Sequence, residues 1–419
     1  MRILFLSHYF PPEVNAPANR TYEHCREWVA AGHDVDVITC VPSHPTGVAF
    51  PGYRSGWYSR EVFDGITVHR VWTLLAPNRG IGRRTLNYLS FIPAALWRGL
   101  RLPSCDVIVG TSPQFFCAVA TWLLATMRRT PWVFELRDLW PESIAAVGAM
   151  RKSAVLRLLE KLELRMYRDA TAVVCLTRSF VANLTARGID PAKLTFVPNG
   201  ADAAFWRRGD RDAGRALLRL RPGEFAVAYV GTLGMAHGLG TMLDAAHLLK
   251  GEGQTRLFII GDGAEREALE NRATREMLDN VVFTGLIPRG DIPSVLAGVD
   301  ALLVMLKPSE VFKTVLPSKM FEAMAAGRPI ALGVDGEARS TLERAGAGLA
   351  FEPGDARGLA AVITRLAGVP DMRQAMGASG RAFVEREFSR QDWADELLRT
   401  LQGVASRVPV SGHPDKART

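Results

Sequence analysis

Cysteine is scarce in this chain of 419 residues, and the few that occur exclude more than they offer. Cys25, Cys40, Cys105, Cys117 and Cys175 are odd in number, scattered and without a C-x-x-C pair, so neither a disulfide framework nor a zinc site is expected. Long apolar runs are lacking as well. The longest, Phe115 to Met127, is shorter than a bilayer crossing requires and follows the turn signal Ser112-Pro113, so no transmembrane helix is expected. The opening I-L-F-L stops at Ser7-His8, too short for a signal peptide and suited to a buried first strand, so a cytoplasmic chain is expected. No H-E-x-x-H is present, and G-x-G-x-x-G is missing after the first strand and in the glycine loop 231–240. A nicotinamide oxidoreductase therefore has little support.

Acid is nearly missing from one segment. Residues 65 to 134 hold Arg70, Arg79, Arg83, Arg84, Arg98, Arg101, Arg128 and Arg129 against Asp106 alone, which supplies seven of the eight net positive charges. Arg79, Arg83, Arg84, Arg98 and Arg101 interleave with Leu, Tyr, Phe and Trp. Two readings stay open: a surface for anionic lipid at the inner membrane face, or a packed helix with solvated arginines outside. Nucleic acid is not an expected partner, because no recognised binding module accompanies the charge.

What is present is ordinary for a globular enzyme: 48% hydrophobic and 22% charged residues, and enough length for two cores. R-I-L-F-L-S, H-D-V-D-V-I-T-C, T-V-H-R-V, D-V-I-V-G-T-S, W-V-F-E-L and A-V-V-C-L-T read as strands separated by helical patterns. After V-P-N-G-A-D a second series follows: F-A-V-A-Y-V-G-T, R-L-F-I-I-G-D-G, N-V-V-F-T-G, A-L-L-V-M-L and P-I-A-L-G-V. Two α/β, doubly wound, Rossmann-like domains are expected at 1–200 and 223–388, joined by a linker at 201–222. A helix at 389–405 that crosses back and a disordered tail at 406–419 complete the expected plan. Ligands of such sheets bind at the carboxyl ends of the strands, so a cleft between the domains is the expected site.

Three stretches carry chemistry there. The loop G-T-L-G-M-A-H-G-L-G follows a strand and opens a helix, so Gly231, Thr232, Gly234 and His237 stand where backbone amides can approach a phosphate. R-D-L-W-P-E-S puts Arg137 and Asp138 at a strand's carboxyl end; a helix-capping aspartate paired with its neighbour is the bland alternative. L-P-S-K-M-F-E-A-M-A-A-G-R-P starts a helix with Ser318 as cap, Lys319 for a diphosphate and, one turn on, Glu322 for a ribose diol. An exposed ion pair between Lys319 and Glu322 is the alternative. D-V-D at 34–36 lies in a strand with Val35 and Val37 inward, so its carboxylates read as solvent-facing rather than metal-binding.

In order and spacing, H-Y-F-P-P-E-V-N-A-P-A-N-R, V-P-N-G-A-D, I-I-G-D-G-A-E-R-E, V-V-F-T-G, F-E-A-M-A-A-G-R-P and G-x-x-G-R-A-F-V-E-R-E-F-S resemble the family 4 glycosyltransferases with the GT-B fold. P-G-Y-R, N-Y-L-S-F, R-D-L-W-P-E-S and P-S-K-x-F-E resemble the subgroup named for an O-antigen N-acetyl-L-fucosaminyltransferase. The resemblance implies retaining transfer from a nucleotide diphosphate sugar, most often a UDP-sugar, without an essential metal or other cofactor. The acceptor it implies is a polyprenyl-diphosphate-linked saccharide or a growing cell-surface glycan. A sugar-nucleotide epimerase and a non-catalytic subunit of an assembly complex are the alternatives.

Asp138, Lys319 and Glu322 are the expected catalytic set, with Asp138 as a positioner. The base is expected against Gly285, Leu286 and Ile287, the diphosphate against the glycine loop, Ser318 and Lys319, and the acceptor past Glu13, Arg20, Arg137 and Asp138. Two departures stand out. The family's first glutamate of a pair falls on Thr314, and its phosphate-binding Arg and Lys fall on Thr232 and His237. Lys319, with Lys313 as its neighbour, is the expected substitute, because a leaving diphosphate needs cations or helix amides around it.

Overall fold

The computed structural model describes residues 1–77, 81–112, 114–140, 154–251 and 254–407. The first sheet holds β1 (Arg2–Leu6), β2 (Asp34–Cys40), β3 (Tyr58–Phe63), β4 (Ile66–Val71), β5 (Val107–Thr111), β6 (Trp132–Leu136), β7 (Ala172–Cys175) and β8 (Leu194–Phe196). Their order is β3-β4-β2-β1-β5-β6-β7-β8, parallel throughout except for β3, which runs antiparallel to β4 at the edge. The second sheet holds β9 (Phe225–Val230), β10 (Thr255–Ile260), β11 (Val281–Gly285), β12 (Ala301–Met305), β13 (Ile330–Gly333) and β14 (Gly348–Ala350), in the parallel order β11-β10-β9-β12-β13-β14.

Continuous apolar strands build such sheets because both faces are covered by helices. In β1, Ile3 and Phe5 enter one core while Leu4 and Leu6 enter the core on the opposite face. In β9, Ala226 and Ala228 face one layer, and Val227 and Tyr229 the other. Asp36 of the D-V-D stretch pairs with His69 and Arg2, and Val35 and Val37 point inward.

Residues 201–222 contain the helices Ala203–Trp206 and Arg211–Leu217, and Trp206 and Leu218 join a second-domain core. The helix Arg390–Ser406 lays Leu397, Leu401 and Val404 into the first domain's core beside Ile3 and Phe5, and its Ala394 carbonyl accepts from Trp28 Nε1 at 3.2 Å. Both crossings between domains are stitched together: Ala201 N donates to Phe388 O, and Arg390 N to Ala201 O.

Candidate active site

The carboxyl ends of both sheets meet across the domain junction. Arg289, after β11, donates to Asn19 Oδ1 at 2.5 Å and Glu23 Oε1 at 2.8 Å on the helix Ala16–Ala30, which follows β1. Glu337, after β13, accepts from the amides of Arg178 and Ser179 at 2.9 and 2.8 Å, where the helix Arg178–Ala186 starts behind β7. Two sheet edges held together this way enclose the site.

On the second-domain side the glycine loop is built around Lys319. Gly231 has φ of +138°, and a Cβ there would lie 2.5 Å from Lys319 Cε and 2.7 Å from Nζ, so only glycine admits the ammonium. Lys319 Nζ donates to Tyr229 Oη at 2.5 Å and lies 3.8 Å from that ring's centre. Tyr229 Oη donates in turn to Thr232 O at 2.7 Å. Burial pushes the Lys319 ammonium down to about 7, with Glu322 pulling weakly the other way. His237, hydrogen-bonded to Gly234 O, is driven to about 3 by burial and then by Lys319, so it is a neutral imidazole and no substitute cation. Sequence reasoning passed over two neighbours: Tyr229, which reads as one more core residue of its strand, and Lys307, whose Cγ would lie 3.2 Å from a Cβ at Gly238. Lys307 stands just past the carboxyl end of β12, the positional signal that marked Asp138.

The helix Ser318–Ala325 corrects two expectations. Pro317 holds its cap position and no side chain caps it; Ser318 is already helical, so its hydroxyl cannot turn forward onto the first amides. Lys313 does not join Lys319, because its ammonium is tied to Glu310 at 2.7 Å and stands 4.0 Å from Asp335. Thr314 turns its hydroxyl back onto Val311 O at 2.7 Å. Glu322 is half-buried; burial raises its carboxyl above the ordinary range, while Arg390 opposes that and Glu23 adds to it. No exposed Lys319–Glu322 ion pair forms. Gly285 is buried with φ of +73°, Leu286 is exposed, and Ile287 packs against the domain core, so this segment offers mainly backbone.

The first-domain side is built from charges that are already partnered. Arg20 does not face an acceptor: it is buried, with Nε on Glu135 at 2.8 Å and the other nitrogens on Val197 O, Pro198 O and Asn199 Oδ1. Burial works against the Glu135 carboxylate, yet Arg20 and Arg137 hold it down to about 2. Glu13 is likewise buried and brackets the amides of Ser43 and His44, both at 2.9 Å; burial raises it to about 7. Arg137 is buried beside Glu135, which leaves Asp138, past the end of β6, as the carboxylate at the cleft among the described residues of that stretch. Burial raises Asp138 to about 6. Pro141, Glu142 and Ser143 lie outside the described residues.

The basic segment divides. Arg79 lies outside the described residues. On the helix Ile81–Gly99 the outward stripe starts at Arg83 and continues as the apolar Leu86, Leu89 and Pro93, and Arg101 follows the helix. Arg84 is only partly exposed, and Arg98 leaves the outer face altogether, stacking 4.6 Å from the Tyr58 ring centre. No helix among the described residues is long and apolar enough to cross a membrane.

Comparison with known proteins accords with this layout. Residues 15–200 match the glycosyl transferase 4-like domain, and residues 210–383 match the glycosyl transferases group 1 domain. The chain is 26% identical over 417 residues to WcaI of Escherichia coli K12, whose name assigns it to colanic acid biosynthesis as a glycosyl transferase; 96% of this chain and all of that one are covered. Among solved structures, sucrose-phosphate synthase from Thermosynechococcus elongatus superposes with a TM-score of 0.78 at 20% identity, covering 97% of this chain and 100% of that one. Anabaena HepE in complex with UDP and glucose superposes at 0.71 with 17% identity, covering 96% and 99%. The fold is GT-B, and the chain belongs to the family 4 glycosyltransferases.

Proposed function

We propose that this glycosyltransferase moves a sugar, with retention, from a UDP-sugar to a polyprenyl-diphosphate-linked or growing cell-surface glycan, as the O-antigen subgroup resemblance implies. The observation that carries the donor half is the Lys319 ammonium lodged against Gly231, at the uncapped start of a helix whose next turn presents Glu322. A diphosphate placed on the loop Gly231 to Gly234 meets that cation and the first helix amides, which supply charge without calling on a metal. Glu322 accepts the ribose hydroxyls, and the backbone at Gly285 to Ile287 lies against the base. The UDP held in the HepE complex favours uridine as the nucleoside here.

In the reaction the bond from the anomeric carbon to the diphosphate oxygen breaks and the acceptor oxygen bonds from the same face. The departing phosphate oxygen takes the acceptor proton. Asp138 positions the acceptor hydroxyl. The outward Leu86 and Leu89, with Arg83 before them and Arg101 past the helix end, favour a peripheral seat on anionic lipid over the solvated alternative, since the middle of that helix face is apolar. This brings a lipid-linked acceptor to the cleft.

Calorimetric titration of UDP into wild type and Glu322→Gln, each with and without a chelator, tests the donor half. The expected outcome is chelator-resistant binding that weakens ten- to a hundredfold in the variant, about 1.4 to 2.7 kcal/mol. Absent binding to wild type, or binding abolished by the chelator, would overturn the assignment.

A further inference from the structure

The second domain has another cavity, on the side opposite the cleft, at the amino ends of β12 and β13. It holds about 520 Å³. Four guanidinium groups line it, from Arg211, Arg328, Arg373 and Arg381, against a single carboxylate, Asp300. That size suits a small molecule rather than a polymer.

Three of these arginines are anchored. Arg211 donates to Asp300 Oδ1 at 2.7 Å, Arg373 to Ala367 O at 2.9 Å, and Arg381 to Ala326 O at 3.1 Å. Arg328 is different. Its Nε is buried without a hydrogen-bond partner, and no ion pair forms at its guanidinium among the described residues. Burial, and then the nearby Arg211, lower its guanidinium to about 10 against the opposing pull of Asp300, which is itself paired with Arg211, and it still carries its charge at neutral pH. A half-buried cation beside other cations, without a carboxylate of its own, is costly to keep unless a ligand compensates it.

The backbone is also shaped for the cluster. Gly327 has φ of +67°, and a Cβ there would collide with Arg381 Nη2, so the guanidinium lies flat against the turn only because the residue is glycine. Carbonyl oxygens take one side of Arg381 and Arg373, and the rest of each planar fork remains for a ligand.

We propose that this cavity is a binding site for a small phosphate-bearing metabolite, separate from the donor cleft, with the Arg328 guanidinium as its central contact. A phosphoryl group supplies the acceptor oxygens that Arg328 lacks and bridges it to Arg373 and Arg381 in the bidentate manner guanidinium favours.

The test is thermal unfolding with increasing inorganic pyrophosphate at constant ionic strength, on wild type, on Lys319→Ala, which removes the donor cleft's diphosphate contact, and on Arg328→Gln made in that Lys319→Ala background. Pyrophosphate should raise the melting temperature of wild type and of Lys319→Ala saturably, because a ligand of the native state stabilises it. In the double variant the half-saturating concentration should rise at least tenfold over Lys319→Ala, with no fall in the ligand-free melting temperature. An unchanged response in the double variant, loss of the response in Lys319→Ala, or no saturable response in wild type would each overturn the proposal. Should the double variant fail to fold, arginine modification by phenylglyoxal on wild type decides. Protection of Arg328 by pyrophosphate supports the site, and equal modification with and without it refutes it.

Discussion

The two edges that face each other across the cleft handle charge in opposite ways. On the first domain Arg20, Glu135, Glu13 and Glu23 are buried and engaged, with each other, with backbone amides and carbonyls, or with Arg289 and Arg390 across the junction. On the second, among the described residues, Lys319 has no carboxylate within ion-pair range, only a phenol and a ring face, and Glu322 has no hydrogen-bonded partner. A charge that folding has already compensated holds architecture. A charge that folding leaves costly is the one a ligand can reward.

The sharpest way to break this comparison is to treat the first edge as though it were the second. Arg20→Met leaves the buried Glu135 carboxylate without its ion-pair partner, with the charge of Arg137 still near it, and frees the V-P-N-G turn, so stability to urea should fall by about 3–5 kcal/mol. Glu135 is held at about 2, below its ordinary value, so its contribution is complete above the ordinary carboxylate range and is lost only as the pH falls toward 2. A variant as stable as wild type at neutral pH would mean that the pair is not structural.

The same operation on the second edge should reverse the sign for stability and strike turnover instead. Lys319→Met removes a desolvated ammonium, so the melting temperature should hold or rise, while kcat falls by about 10²–10³-fold with the loss of a leaving-group contact. The free ammonium sits at about 7, so a bound diphosphate draws a proton onto it. Wild-type affinity for a UDP-sugar should therefore fall as the pH rises above 7, by up to about tenfold per unit, and Lys319→Met should show no such slope. Affinity that climbs with pH in wild type would sink the assignment.

How far the sequence carried this comparison follows from where each contact lies along the chain. The eleven strands expected from apolar runs are present, because a strand covered on both faces must be continuously hydrophobic. The missed ones are β3, half of whose residues are exposed and none buried, and β8 and β14, each three residues long and half-buried, so none has such a run. The Lys319–Glu322 placement was legible because both residues share one helix. Tyr229 is 90 positions from Lys319, and Glu23 is 266 from Arg289, so only the fold brings them together. Arg20 misled for a related reason: a cation near a sheet edge reads as a ligand until its buried carboxylate, 115 positions away, is seen.

Asp138 is where the two edges come closest in character, and it calls for the smallest expected effect. It lies on the first domain, yet burial raises it to about 6 and the neighbouring Arg137 only partly offsets this, so it is poised as the charges of the second edge are. If the departing phosphate oxygen takes the acceptor proton, Asp138 needs only to accept a hydrogen bond from the acceptor hydroxyl. Asparagine keeps one acceptor oxygen in the same place. Asp138→Asn should then lower kcat by about three- to tenfold, roughly 1 kcal/mol. It should also remove the acid limb near pH 6 from the rate profile, which loss of packing alone would not do. A drop of about a thousandfold or more, with the melting temperature unchanged, would instead make Asp138 the base and place a reactive charge on the edge that otherwise holds architecture.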